Sequence, residues 1–217
     1  MQGFSLDAAD AAYRAAREEL RQAEIALKEQ REKVAEMRRG LSAETPVPED
    51  YVFSEADGSK VRLSELFEDG NDTLIVYHFM WAEADENPCP MCTMWHDGYN
   101  AVQQHLQQSV PVVVVAKQDA AKLRAFADSR GWSNLRTLSS GGTGFNLDFS
   151  MEDENGSQRP GLSVFVKRDG EMRHFYTVSA MMGDDHYRGM DLYSPVWNLL
   201  DLLPEGRGAW MPSLGYD

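Results

Sequence analysis

The sequence predicts an α/β protein: a central mixed sheet flanked by helices, preceded by one long N-terminal helix. Three observations carry this expectation. Residues 1–42 repeat an apolar position every seven residues and contain no proline. Two runs, 73–81 and 111–116, are apolar on both faces, as strands buried inside a covered sheet are. The strand-like and helix-like segments alternate and then end in two apolar runs joined by Arg168-Asp169-Gly170, a hairpin signal.

The chain has 217 residues, enough for one or two domains and for a core that needs no disulfides. The division expected is a helix over 1–44 and an α/β domain over 45–217. Basic and acidic residues balance over 1–42, so the net charge of −14 resides in the remainder. That excess of acid argues against nucleic acid or an anionic membrane surface as partner. No apolar stretch approaches a membrane span, and residues 1–7 lack the basic and apolar regions of a secretory signal. A cytoplasmic location is therefore expected. Two cysteines are too few for a secreted disulfide scaffold.

In the first segment Leu6, Tyr13, Leu20, Leu27, Val34 and Leu41 form one row and Ala9, Ala16, Ala23, Gln30 and Met37 another. Together they make the stripe of an amphipathic helix. Ser5 or Asp7 suits its start and Gly40 its end, with Glu24–Lys28 and Glu29–Lys33 as exposed pairs. Such a helix is roughly 50 Å long, longer than a small domain is wide. It either packs across its own domain or pairs with a second copy; a homodimer is the expectation.

Thr45-Pro46-Val47-Pro48 reads as a linker and 51–53 as a short strand. After the turn Ala56-Asp57-Gly58-Ser59, residues 61–67 read as a strand end entering a short helix capped by Ser64. The strongest strand is 73–81. A helix over 91–107 follows, with Met91, Met94, Trp95, Tyr99, Val102 and Leu106 inward. Then come a strand at 111–116, a helix at 119–130 and a short strand at 135–138. An irregular stretch covers 141–155. The hairpin pairs 162–167 with 171–178, and a last helix spans 193–202.

The chemistry concentrates in Cys89-Pro90-Met91-Cys92, placed after the buried strand and at the start of the next helix. There the first sulfur meets unpaired backbone N–H groups and the positive end of the helix dipole, which favour its thiolate. Pro90 occupies the first helical position at no cost. Cys92, one turn on, is placed to resolve a mixed disulfide formed by Cys89. The acidic loop Glu83-Ala84-Asp85-Glu86 and Asp97 would oppose the thiolate if they crowd it. His96, one turn past Cys92, could pair with a thiolate, ligate a metal, or be a partly exposed helix histidine. His78 reads as a hydrogen-bonded core histidine. Trp81, Trp95 and Tyr99 read as packing that also shapes a groove. Gly141-Gly142-Thr143-Gly144 lacks the lysine of a P-loop and reads as a loop. Glu152-Asp153-Glu154 and Asp184-Asp185 read as solvated surface.

Several blocks resemble a family of thioredoxin-like proteins of uncharacterised function that are described as predicted dithiol–disulfide oxidoreductases. They are Asp50-Tyr51-Val52-Phe53, the run 74–80, Cys89-Pro90-Met91-Cys92, Gly131-Trp132, Ser139-Ser140, Phe145-Asn146-Leu147-Asp148-Phe149, residues 160–165 and residues 200–207. The resemblance covers nearly the whole chain. It implies a thioredoxin-like fold and a dithiol site at Cys89 and Cys92, supported by Pro90, His96, Trp81 and Leu162. Thioredoxins place a cis-proline before the hairpin; here that position falls near Leu162, and the nearest proline is Pro160.

The leading function is thiol–disulfide exchange with no cofactor, on a disulfide or peroxide substrate and with a thiol electron donor. A peroxiredoxin-like peroxidase is the first competing reading, although Glu86 stands where that class has threonine. A copper- or zinc-handling protein using Cys89, Cys92 and His96 is the second, and an adaptor acting through the long helix is the third.

Overall fold

The computed structural model describes residues 10–67, 70–183 and 186–216. The chain divides into two compact units, 1–42 and 43–217. The first contains α1 (Ala11–Arg39). Its start is capped by Asp10, whose side chain accepts from the Tyr13 N–H at 2.8 Å. Ser5, Asp7, Leu6 and Ala9, expected in or beside this helix, lie outside the described residues. Gly40 ends the helix as expected. The exposed pairs differ from expectation: Lys28 reaches forward to Glu32 at 2.8 Å, and Glu24 takes Arg17 at 3.0 Å. At 29 residues the helix is about 44 Å long.

The second unit is built on one eight-stranded sheet, in the order β1-β8-β7-β4-β5-β6-β2-β3. In chain order the strands are β1 (Thr45–Pro46), β2 (Val52–Ser54), β3 (Lys60–Arg62), β4 (Thr73–His78), β5 (Val112–Ala116), β6 (Arg136–Ser139), β7 (Gly161–Arg168) and β8 (Glu171–Ser179). The helices are α2 (Pro90–Leu106), α3 (Ala120–Ser129), α4 (Phe145–Asp148) and α5 (Pro195–Leu200). Strands β4, β5 and β6 run parallel, connected through α2 and α3. Strand β7 is antiparallel to β4, and β8 to β7. A β4–α2–β5 unit followed by the β7–β8 hairpin and α5, with β8-β7-β4-β5 side by side, is a thioredoxin-like fold. The Asp169-Gly170 turn has φ of 53° and 82°, the pair of positive angles that a two-residue hairpin requires.

Alternation along the central strands separates two cores. Tyr77 and Val114 point to one, shared with Phe79, Trp95, Leu123 and Trp132. Val76, Val113 and Val115 point to the other, which gathers Tyr51, Phe53, Phe145 and Phe165. Phe145 is fully buried and meets Tyr51, Phe53 and Phe149 at ring distances of 5.0–5.1 Å.

Several elements depart from the sequence reading. Thr45-Pro46 pairs with β8, so the presumed linker is an edge strand; an edge tolerates proline because its outer N–H positions need no partner. Ser64 lies inside the 3₁₀ turn Leu63–Leu66 and does not cap it. Glu65 reaches back to the Arg62 N–H at 2.7 Å, and Asp50 accepts from the Ser64 N–H at 2.9 Å. The presumed irregular stretch contains α4. Val102 and Leu106 are exposed; in the last turns of α2 it is Gln103 that faces inward. Glu152 is not solvated surface: it is nearly covered and grips Lys117 through both oxygens, at 2.7 and 2.8 Å. Asp184 and Asp185 lie outside the described residues. No helix among the described residues is long and apolar enough to cross a membrane.

Phe145→Ala is expected to lower the unfolding free energy by about 3–5 kcal/mol, the usual cost of an emptied aromatic site. A urea titration measures it. The residue belongs to the core facing away from the cysteines, so the reactivity of Cys89 in the native state should stay as it is.

Candidate redox site

The end of β4 positions both cysteines. The chain runs on from His78 through Phe79, whose N–H is held by the Val115 carbonyl at 2.8 Å, to Met80. The Met80 carbonyl then accepts the Cys89 N–H at 3.1 Å, and the Met80 N–H faces the Cys92 sulfur. The loop between is pinned from inside. Trp81 Nε1 and Lys122 Nζ donate to the Asp85 carbonyl at 3.2 and 3.1 Å, and Gln118 Nε2 donates to the Ala82 carbonyl at 2.9 Å.

Cys89 is the residue that caps α2, with Pro90 at the first helical position. The two cysteines are free thiols; Cys89 is half-buried and Cys92 fully buried. The Cys89 thiol is lowered to about 6, first by the hydrogen bond from the Cys92 thiol, with burial opposing and the backbone N–H groups of Cys92 and Met91 assisting. Cys92 is pushed well up by burial and by the charge forming on Cys89. The Tyr77 hydroxyl lies in weak hydrogen-bonding range of the Cys92 sulfur and has no closer partner. Among the described residues no carboxylate shifts either thiol; Asp97 is taken by Arg130 at 2.5 Å and Trp132 Nε1 at 2.8 Å, and Asp85 by the Ala82 N–H at 3.2 Å.

The sequence-based supporting residues fare unequally. His96 is neither exposed nor directed at a sulfur. It is fully buried, its Nδ1 donates to the Cys92 carbonyl at 2.7 Å, and its ring packs on Tyr77 at 4.1 Å. The carbonyl can only accept, so Nδ1 carries the proton and Nε2 is left without a partner. Among the described residues no group of three His, Cys, Asp or Glu side chains is gathered to hold a metal. Trp81 is buried beside Phe79 and Phe126 and braces the loop. Leu162 pairs across from Tyr77 and packs on the core that contains Cys92. His78 is the core histidine expected, with Nε2 2.8 Å from Ser163 Oγ.

A cavity of 440 Å³ opens beside Cys89. Met80, Met91 and Trp95 form its wall on the dithiol side, while Pro160 and Ala180 close it at the ends of β7 and β8. Trp197, which meets the Trp95 ring at 5.9 Å, continues that wall, and Trp210 and Met211 add a stretch from the end of the chain. Sequence reasoning missed this part of the wall. Its only signal was Arg207, which lines the cavity and holds Asp191 at 2.9 Å and Asp201 at 2.5 Å.

Fold and site together describe a thioredoxin-like chain with a Cys-Pro-Met-Cys pair at a helix start. Residues 6–214 match the family described as a bacterial protein of unknown function, DUF899, and the chain belongs to that family. No curated protein matches it. Among solved structures it is similar to a mutant peroxiredoxin Q of Xanthomonas campestris, at 16% identity over 70% of this chain and 92% of that one, with a TM-score of 0.49. It is also similar to peroxidoxin BcpB of Mycobacterium tuberculosis, at 17% identity over 69% and 94%, with a TM-score of 0.47. A third is the mitochondrial 2-cys peroxiredoxin of Plasmodium falciparum, at 10% identity over 75% and 95%, with a TM-score of 0.47.

Burial lowers His96 to about 4 and His78 to about 3 from the ordinary 6.5. Both stay neutral when folded, while the unfolded chain takes up protons below that value. Their contribution is therefore whole above pH 6.5 and is lost as pH falls, at up to about 1.4 kcal/mol per pH unit for each. Urea titrations between pH 6.5 and 5 are expected to show this loss, and His96→Asn should remove about one proton from the slope.

Proposed function

We propose that the protein is a thiol–disulfide oxidoreductase in which Cys89 is the nucleophile and Cys92 the resolving thiol. The observation that supports it best is the opposite displacement of the two thiols: the half-buried one is lowered to about 6 and the buried one is raised. At neutral pH Cys89 is then a thiolate while Cys92 holds its proton and donates a hydrogen bond to it. Attack by Cys89 on a disulfide turns its charge into a neutral mixed disulfide. Burial still holds Cys92 up, but the part of its rise that came from the Cys89 charge disappears at that moment. The Met80 N–H and Tyr77 hydroxyl then stabilise a Cys92 thiolate, which attacks Cys89 and frees the product. A thiol donor returns the pair to the reduced form, which suits the cytoplasm.

Alkylation of Cys89 by iodoacetamide tests this. The rate should rise with pH through a midpoint near 6, where an ordinary thiol titrates near 9. Cys92→Ala removes the donor and should move the midpoint up by more than one pH unit. A wild-type midpoint near 9 would overturn the reading.

The apolar stripe of α1 cannot be covered from within a lone helix, and we propose that a second copy of the chain covers it. Light scattering at micromolar concentration should give twice the chain mass of 24.4 kDa. Replacing Leu20 and Leu27 together with Glu should return it to one.

A further inference from the structure

We propose that the 440 Å³ cavity is the substrate site of this exchange and that it takes a neutral, apolar disulfide, two small aryl or alkyl groups joined through sulfur. The proposal rests on the dithiol reading and adds to it the class of substrate. Position supports it first: Cys89, the more accessible of the two thiols, is itself part of the cavity wall, while Cys92 is not. Volume supports it next. Small-molecule sites run from about 300 to 1,000 Å³, and this cavity falls in the lower part of that range. It suits one compact molecule.

The lining then selects among such molecules. Indole rings and thioethers surround the space beside the thiol, and thioethers adapt to irregular apolar shapes and contact aromatic rings favourably. The charged groups at the far side are spent on one another. Asp191 Oδ2 accepts from Arg188 Nε at 2.5 Å and from Arg207 Nη1 at 2.9 Å, and Asp201 accepts from Arg207 Nη2 at 2.5 Å. Arg207 is further held over the Trp197 ring at 5.3 Å. Two cations set against two carboxylates leave no free positive charge for an anionic ligand. Asp191 Oδ1 is buried without a partner, so a ligand carboxylate would add a second negative charge beside it.

The reaction balances as follows. The Cys89 thiolate attacks one substrate sulfur, the substrate S–S bond breaks, and the other sulfur departs with the electron pair and takes a proton. Cys92 loses its proton and attacks the Cys89 sulfur, which breaks the mixed disulfide and releases the second thiol. Two electrons pass from the dithiol to the substrate; Cys92 supplies one of the two protons and water supplies the other. A dithiol reductant restores the protein.

The test mixes the reduced full-length chain with dithiodipyridine, which is neutral and aromatic, or with dithiobis(nitrobenzoate), which carries two carboxylates. Salt is raised until it screens the net charge of −14. Each single-turnover rate is divided by that of the same disulfide with a short peptide thiol, which removes intrinsic reactivity. The neutral disulfide should be favoured by about tenfold or more. The double variant Trp210→Ala, Met211→Ser alters exposed lining residues and should bring the ratio close to one. Equal normalised rates in the wild type, or a ratio unchanged in the double variant, would overturn the cavity proposal alone. Failure of either disulfide to react faster with the wild type than with Cys89→Ser would overturn the dithiol reading, and the cavity proposal with it.

Discussion

The site depends on one residue's backbone. Met80 lies just past β4, where the sheet has let go of the chain, and its carbonyl and N–H face the two cysteines. The carbonyl accepts the Cys89 N–H at 3.1 Å, and the N–H eases the Cys92 thiol down against the effect of its burial. These contacts tie the start of α2 to the end of β4, and Cys92, Met94 and Trp95 then pack the helix on the core. The loop from 82 to 88 can be long because Asp85, Gln118 and Lys122 pin it from inside, so its length does not loosen the cysteines.

The electrostatics of the pair follow from depth. A single helix start would lower both thiols if both reached it. Only Cys89 does, and Cys92 sits one turn deeper, where burial dominates. The acidic composition of the chain does not reach the pair: among the described residues no carboxylate shifts either thiol. Asp97 anchors Arg130 and Trp132, and Asp85 closes its own turn.

The parts of this architecture that were legible in the sequence are those written in local pattern. The strand at 73–78, read as running on to 81, the valines 112–115 and the Asp169-Gly170 turn name their own structures, because burial on both faces and positive φ restrict residue choice strongly. Cys89 and Pro90 were legible for the same reason: a helix start has few acceptable residues. The misread elements depend on distant partners. Thr45-Pro46 is a strand only because β8 lies beside it. Glu152 is held because Lys117, far away in sequence, arrives opposite. His96 could not be placed from its spacing to Cys92, since one turn of helix fits a ligand and a core residue equally. Its depth is decided by Tyr77 and Trp132 on other elements. The cavity wall formed by Trp197, Trp210 and Met211 left no local signature beyond the nearby Arg207.

That wall has a consequence for how the chain can diverge. Residues 208–211 belong to no strand or helix, and they are tethered by Arg207 on one side and by the Arg130 Nη1 bond to the Leu214 carbonyl, 2.8 Å, on the other. The sheet and the dithiol can therefore stay constant while the composition of this short segment drifts. The cavity is thus lined from two separate stretches of the chain, 208–211 on one hand and the end of β4 with the start of α2 on the other. The same arrangement makes the stretch just after Leu214 a poor place for a purification tag, because anything fused there begins only a few residues from the wall.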